Sequence, residues 1–123
     1  MADERINIFY ELKIKPGKAD ELREIAKKMV AYNAEGEPGT LVYNVYISED
    51  EELLTYWETH ENSAALLFHS NRFINGSYVG QVLERTEGAR LCLYGIIPKA
   101  LKDWASEHGF ENEYHEPVDG FQR

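Results

Sequence analysis

Alternation between apolar even-numbered and mostly polar odd-numbered positions over residues 5–14 is the pattern that most restricts the fold of this chain. Every even-numbered position from 6 to 14 carries isoleucine, tyrosine or leucine. Since successive side chains of a β-strand point to opposite faces, this spacing predicts a strand with one face turned towards a core. Pro16 and Gly17 then end the strand, because proline lacks a ladder donor and the pair favours a turn.

A helical period replaces the alternation after this turn. Apolar residues recur three and four positions apart from Leu22 to Val30, and Gly36 offers a C-terminal stop. Two further strands are predicted at 40–47 and 52–58. They are antiparallel to each other, because only a short polar connection joins them. A short helix beginning near Glu61 follows and closes on a histidine.

The pattern is weaker after residue 69. It predicts a continuation of the helix, a short helix around 79–83, a strand at 90–97, and a helix from Ala100 to His108. The order strand, helix, strand, strand, helix, strand is that of a ferredoxin-like βαββαβ domain of the α+β class. We therefore expect an antiparallel sheet with helices on one face, and an extra C-terminal helix and tail. The tail is either loose, as chain termini often are, or docks on another surface through its apolar residues.

The second face of the predicted sheet is also rich in apolar residues. It carries Phe9, Val42, Tyr46 and Trp57. A sheet that is apolar on both sides needs a cover on both sides. A second copy related by a two-fold axis is the simplest cover, so we expect a homodimer through the sheet faces.

Charge and hydropathy exclude several classes of partner. Thirteen basic and 22 acidic residues give a net charge of −9, which repels a nucleic-acid backbone. No apolar run is long enough for a membrane span, and Met1–Arg5 lacks a signal-peptide core. We expect a cytoplasmic protein that binds neither nucleic acid nor membrane. Cys92 is the single cysteine, and its apolar neighbours predict a buried thiol.

An aromatic residue, a carboxylate and two imidazoles follow one another between the third strand and the next helix. His69 is a candidate proton acceptor, because an ordinary imidazole is neutral near pH 7. The alternative is that it caps the C-terminal carbonyls of its helix. Glu58 either orients an imidazole, accepts a proton, or binds backbone amides. His60 either lines a pocket or faces solvent in a loop.

The spacing of these histidines predicts no metal site. His60 and His69 are nine positions apart, unlike the i, i+4 pair of a helical zinc site, and no CxxC is present. The remaining candidates would bind a small substrate. Asn44 is an amide in an apolar strand, so it needs a hydrogen-bond partner, which a substrate oxygen could provide. Arg72 could attract an anionic substrate. The aromatic residues Trp57, Tyr43 and Phe9 serve either as a ligand platform or as core.

Three short motifs occur in the order found in a known family. Lys15-Pro16-Gly17-Lys18, Glu37-Pro38-Gly39-Thr40-Leu41 and Glu58…Ala64-Ala65-Leu66…His69 resemble the antibiotic biosynthesis monooxygenase-like domain. The resemblance implies a dimeric α+β barrel, with residues 1–98 as the domain and 99–123 as its extension. It also implies a cofactor-independent monooxygenase that oxidises a quinol-like or phenolic molecule with molecular oxygen, with a histidine as proton acceptor.

Two positions depart from this family. His60 stands where a tryptophan is usual, and Tyr10 matches the asparagine of the haem-degrading branch. The second departure argues against haem chemistry, so no cofactor is expected. Two alternatives stay open on the same scaffold. One is a non-catalytic barrel that binds a small apolar ligand, with a filled pocket and His69 pointing outward. The other is an isomerase or decarboxylase that uses the same base without oxygen.

Overall fold

The computed structural model describes residues 4–123, which form five strands and four helices. The first three residues, on which part of the localisation prediction rests, lie outside this range. Within residues 4–123, no helix is both long and apolar enough to cross a membrane. The elements in chain order are β1 Ile6–Ile14, α1 Ala19–Gly36, β2 Thr40–Ile47, β3 Leu53–His60, α2 Ser63–Asn75, α3 Tyr78–Glu84, β4 Thr86–Tyr94, α4 Lys99–Glu107 and β5 Asn112–His115.

The strands form one sheet in the order β2-β3-β1-β4-β5, which confirms the ferredoxin-like α+β fold. The three pairings among β1 to β4 are antiparallel, as predicted. The expectation of a purely antiparallel sheet is wrong at one edge, because β5 pairs with β4 in parallel. The sequence did not predict β5, since four residues are too few to establish a period of two.

Two strands differ from their predicted bounds. β3 continues to His60, where the ladder with β1 pairs Ile6 with His60. β4 begins at Thr86 and ends at Tyr94, because Gly88 does not interrupt it. The β1–β4 register shifts at this point, and Gly88 is the extra residue, with a φ of 67° that glycine adopts without strain.

The inner face of the sheet carries the core, in two clusters. The first packs α1 and α3 on β1 and β3, around Leu12, Leu22 and Leu54. The second joins β1 and β4 to α2 and the C-terminal helix through Ile8, Leu66, Leu93 and Leu101, with Tyr114 of β5 against it. Phe110 and Tyr114 of the tail therefore dock on the domain, whereas Val118 and Phe121 are 99% and 81% exposed.

On the opposite face of the sheet, no segment of residues 4–123 covers the large aromatic side chains. Trp57 and Tyr46 are 50% and 56% exposed there. Phe9 meets Trp57 edge to face, with ring centroids 6.4 Å apart. We call the surface formed by Phe9, Val42, Tyr46 and Trp57 the outer face. Cys92 pairs with Phe9 across the β1–β4 ladder and is fully buried, as predicted.

Candidate active site

A cleft of about 690 Å³, open to solvent at its mouth, lies between the inner face of the sheet, α2 and the C-terminal segment. Its walls are mainly apolar and aromatic. Tyr10, Tyr43 and Tyr56 line it from the sheet and Phe73 from α2. The composition of these walls is that of a site for a small organic molecule.

Residues beyond the predicted domain form one wall of the cleft. Trp104 and Phe110 line it, and their rings stack with centroids 5.8 Å apart. The indole nitrogen of Trp104 donates a hydrogen bond to Asn71 Oδ1 at 3.1 Å, which ties α4 to α2. The sequence offered no role for this segment, because its position against the cleft depends on the docking of α4 and β5.

Glu58 and His69 lie together where the cleft meets the polar interior. Glu58 is only 4% exposed, because it lies on the inward-facing side of β3. His69 is in the middle of α2, so it does not cap the C-terminal end of that helix. Asn62 caps the N-terminal end, where its side chain accepts a hydrogen bond from the Ala65 amide. His69 Nε2 is 3.2 Å from Glu58 Oε1, and both residues line the cleft.

Glu37, which the sequence analysis did not single out, holds the other side of His69. His69 Nδ1 donates to Glu37 Oε1 at 2.6 Å, and Arg72 Nε donates to Oε2 at 3.0 Å. Thr40 Oγ1 donates to Oε1 at 2.8 Å. Glu37 belongs to the Glu-Pro-Gly-Thr-Leu motif that carries the family resemblance, which was the available signal for its importance.

His60 is fully buried, so the alternative of a solvent-facing loop residue is wrong. The extension of β3 turns it to the same face as Glu58, and its Nε2 is 2.9 Å from Glu58 Oε1. Its Nδ1 is 3.2 Å from Thr40 Oγ1. His60 is not among the residues that line the cleft. It lies behind Glu58 and touches the polar cluster, not the cavity.

Three donor atoms of this cluster are close enough for one cation to bridge. The ligand atoms of Glu58, His60 and His69 lie within 4.8 Å of one another. The absence of a metal stays a prediction. The sequence spacing on which it was based does not keep the two imidazoles apart, because β3 and α2 bring His60 and His69 together. A cation there would have to displace the protons that now join these groups.

Three predicted substrate-binding residues lie away from the cleft. Trp57 and Asn44 are paired across β2 and β3 and are exposed on the outer face, and Phe9 pairs with Trp57 there. The reason is the strand period, since a neighbour of the inward-facing Glu58 must point outward. Tyr43 does line the cleft, whereas Arg72 bonds Glu37 and the carbonyl oxygen of Tyr32.

The electrostatics of the cluster favour ionised groups. Burial alone would lower the pKa of His69, but the carboxylates of Glu58 and Glu37 outweigh it and raise that pKa. Burial would raise the pKa of Glu37, but His69, Thr40 and Arg72 lower it. Burial and the charge of Glu58 raise the pKa of Tyr10 and Tyr43, so both stay neutral.

The Glu37–His69 pair predicts a bell-shaped dependence of stability on pH. Its contribution is greatest between about pH 4.5 and 6.5, the ordinary pKa values of the two groups. It falls at lower pH as Glu37 is protonated through its lowered pKa, and at higher pH as His69 loses its proton through its raised pKa.

Urea unfolding of the unmodified protein and of His69→Gln at about pH 3.5, 5.5 and 8.5 measures this contribution. We expect the difference in unfolding free energy between the two proteins to be largest at the middle pH. A difference that is the same at all three pH values would contradict the charged pair.

Comparison with known proteins agrees with the architecture. The sequence model described as antibiotic biosynthesis monooxygenase matches residues 6–72. No curated protein sequence matches the chain. The crystal structure of MupZ from Pseudomonas fluorescens is similar over 98% of this chain and 95% of that one, with a TM-score of 0.79 and 14% identity. That coverage includes most of the C-terminal segment.

Two other solved structures match a smaller part of the chain. Rv0793 from Mycobacterium tuberculosis is similar over 76% of this chain and 94% of that one, with a TM-score of 0.63 and 22% identity. A protein from Caulobacter crescentus is similar over 74% of this chain and 88% of that one, again with a TM-score of 0.63 and 22% identity. It is named a putative antibiotic biosynthesis monooxygenase. These likenesses show the fold. Since the family model covers more than half of its length, this chain belongs to the antibiotic biosynthesis monooxygenase family.

Proposed function

We propose that this protein oxidises a phenolic or quinol-like aromatic molecule with molecular oxygen, and that the reaction takes place in the cleft. The observation that carries the proposal is the Glu58–His69 pair at the end of an apolar, aromatic-walled cavity. A flat aromatic ring fits walls of this kind, and a carboxylate beside a charged imidazole can remove its hydroxyl proton.

Glu58 and His69 would have different roles. The two carboxylates raise the pKa of His69 and so favour its charged form, which leaves Glu58 as the group that accepts the substrate proton. The His69 imidazolium then stabilises the oxyanion that forms beside it. This differs from the predicted role of His69 as the base, which requires an imidazole that is neutral near pH 7.

The apolar walls supply the second requirement of the reaction. An aromatic anion transfers an electron to oxygen more readily when water does not solvate its charge. In the oxidation of an anthrone, the methylene carbon gains one oxygen atom and loses two hydrogens. These hydrogens leave with the second oxygen atom as water, so substrate and oxygen balance without another reductant.

Oxygen uptake with a panel of quinols and anthrones tests the proposal. We expect uptake with at least one substrate, and a fall in kcat of about 10²–10³-fold in His69→Gln, the usual cost of losing an oxyanion donor. His115→Gln is the matched control, because this exposed histidine lies at the far edge of the sheet. No uptake with any substrate, or equal loss in both variants, would argue against the assignment.

An isomerase or decarboxylase with the same proton acceptor is the second candidate. The Glu58–His69 pair is compatible with either reaction, because both begin with proton removal. Turnover of the same substrates under strict exclusion of oxygen separates them. The oxygenase requires that anaerobic turnover is lost.

We also propose that the protein is a homodimer joined through its outer faces. The uncovered aromatic surface around Trp57 and Tyr46 supports this arrangement. Trp57→Asp places a charge in the centre of that contact and is expected to give a monomer in light scattering. Lys28→Asp, at an exposed position of α1 on the other side of the sheet, is the control. A monomeric unmodified protein at micromolar concentration would exclude the dimer.

A further inference from the structure

One residue in the wall of the cleft has a polar atom that is buried without a hydrogen-bond partner. The atom is Oδ1 of Asn112, and no donor within residues 4–123 reaches it. Of the buried side-chain nitrogen and oxygen atoms in this range, it alone has no partner. A buried acceptor costs free energy when nothing takes the place of its lost water. An orphaned acceptor on a residue that lines a cavity therefore indicates a place where a ligand can bind.

The amide of Asn112 is held loosely. Its Nδ2 donates to the hydroxyl oxygen of Tyr114 at 3.3 Å, which is longer than the usual N–H···O distance of about 2.9 Å. The last torsion of an asparagine side chain has broad minima, so the amide can rotate at little cost. Such a rotation turns Oδ1 towards the cavity and gives up only this one long contact.

Asn112 lies at the opposite end of the cleft from Glu58. It pairs with Leu91 on β4, which pairs with Tyr10 on β1, which in turn pairs with Tyr56 on β3. Glu58 follows on the same face of β3, so three strand spacings, about 14 Å, separate the two polar residues across the sheet. A molecule that contacts both must be longer than a single aromatic ring.

Apolar walls join the two ends of the cleft. Trp104 and Phe110 line one side with their rings nearly parallel, at an interplanar angle of 11°. Leu93 of β4 lines the other side. These side chains offer stacking and apolar contact but no free polar atom, since the indole N–H of Trp104 is bonded to Asn71. A ligand that lies between them therefore makes its polar contact at this end with Asn112.

We propose that Asn112 recognises the far end of an elongated, flat ligand. The class of ligand is a molecule of more than one ring that carries an ionisable hydroxyl at one end. At the other end it carries a second hydrogen-bond donor, a hydroxyl or an N–H. The first group contacts Glu58 and the second contacts Asn112 Oδ1. The inference rests on the proposed function for the group at Glu58, but not for the contact with Asn112.

The contact is a property of the C-terminal segment. The strand β5, which carries Asn112, lies outside residues 6–72, the part of the chain that the family model matches. Trp104 and Phe110 lie outside that part as well. The C-terminal segment therefore sets the length and the end group of the ligand, whereas the rest of the domain supplies the proton acceptor.

Binding of two unreactive ligands, measured by isothermal titration calorimetry, tests the inference. One is 2,6-dihydroxyanthraquinone, which has a hydroxyl at each end of its fused rings, and the other is 2-hydroxyanthraquinone, which has only one. Both are already quinones, so binding is measured without oxidation. In a mildly acidic buffer, where the hydroxyls keep their protons, we expect the dihydroxy compound to bind about tenfold more tightly, the value of one hydrogen bond to an otherwise unpaired acceptor.

Asn112→Leu removes the acceptor and keeps a side chain of similar shape. We expect this variant to bind both compounds equally, with the Kd of the monohydroxy compound unchanged. Asn75→Leu is the matched control, because Asn75 is an exposed amide at the end of α2 that does not line the cleft. This control should keep the preference for the dihydroxy compound.

Three results would overturn the proposal. Two of them are equal affinity of the compounds for the unmodified protein and no binding of either compound. The third is a preference that persists in Asn112→Leu, which would assign the second hydroxyl to another group, such as Ser70 in the wall of the cleft. If the preference is found and is lost in this variant, yet no quinol is oxidised, the contact with Asn112 stands and the proposed reaction fails.

Discussion

Replacing Glu58 with glutamine is expected to lower kcat by about 10²–10⁴-fold, the usual contribution of a positioned general base. Glutamine keeps the shape of the side chain but cannot accept a proton at neutral pH. It also removes one of the two carboxylates that raise the pKa of His69, so the oxyanion loses its charged partner as well. The effect is therefore expected to exceed that of His69→Gln.

Steady-state oxygen uptake gives kcat and KM for this variant. Glu52→Gln is the matched control, because Glu52 is exposed beside the start of the same strand. A measurement of the folded fraction by circular dichroism is needed beside the kinetics. Activity of Glu58→Gln within threefold of the unmodified protein, with both folded, would remove Glu58 from the reaction.

Replacing Glu37 with alanine is expected to lower the free energy of unfolding by about 3–5 kcal/mol, the cost of removing one partner of a buried ion pair. The Glu37 side chain is 1% exposed, and it is the shared acceptor of His69, Thr40 and Arg72. Without it, a charged imidazole and a half-buried guanidinium remain near one another with no anion between them.

Urea unfolding at about pH 5.5, where the pair contributes most, measures this loss. Glu35→Ala, near the end of α1, is the control, because Glu35 is exposed and a surface change of this kind costs at most about 0.5 kcal/mol. A loss below about 1 kcal/mol in Glu37→Ala would show that the cluster does not depend on a buried carboxylate at this position.

Much of the fold was predictable because its signals are local. The alternation of β1 and the helical period of α1 arise from residues close in sequence, and both elements appear within about one residue of their predicted bounds. The predicted bounds are wrong where pairing with strands distant in sequence decides how far a strand extends. β3 continues through Thr59 and His60 because β1 and β2 flank it, and β5 exists because β4 offers an edge.

The candidate site was predictable only in part. Glu58 and His69 were identified together, because a carboxylate and an imidazole near a strand–helix junction resemble a known arrangement. Trp57 was assigned to the same pocket for its position in the chain, yet the period of two sends it to the outer face. No local periodicity marks Glu37 as buried, because a glutamate after a helix is usually exposed, and only packing buries this one.

The amino-acid sequence by itself determined the class of fold, the alternating faces of β1 and the family, because these depend on local periodicity and on short motifs in order. The tertiary structure decided which polar groups meet. A loop after α1, a strand and a helix bring Glu37, Glu58, His60 and His69 into contact. Their pKa values depend on burial and on neighbours distant in sequence, so no local pattern could have shown where the protons lie.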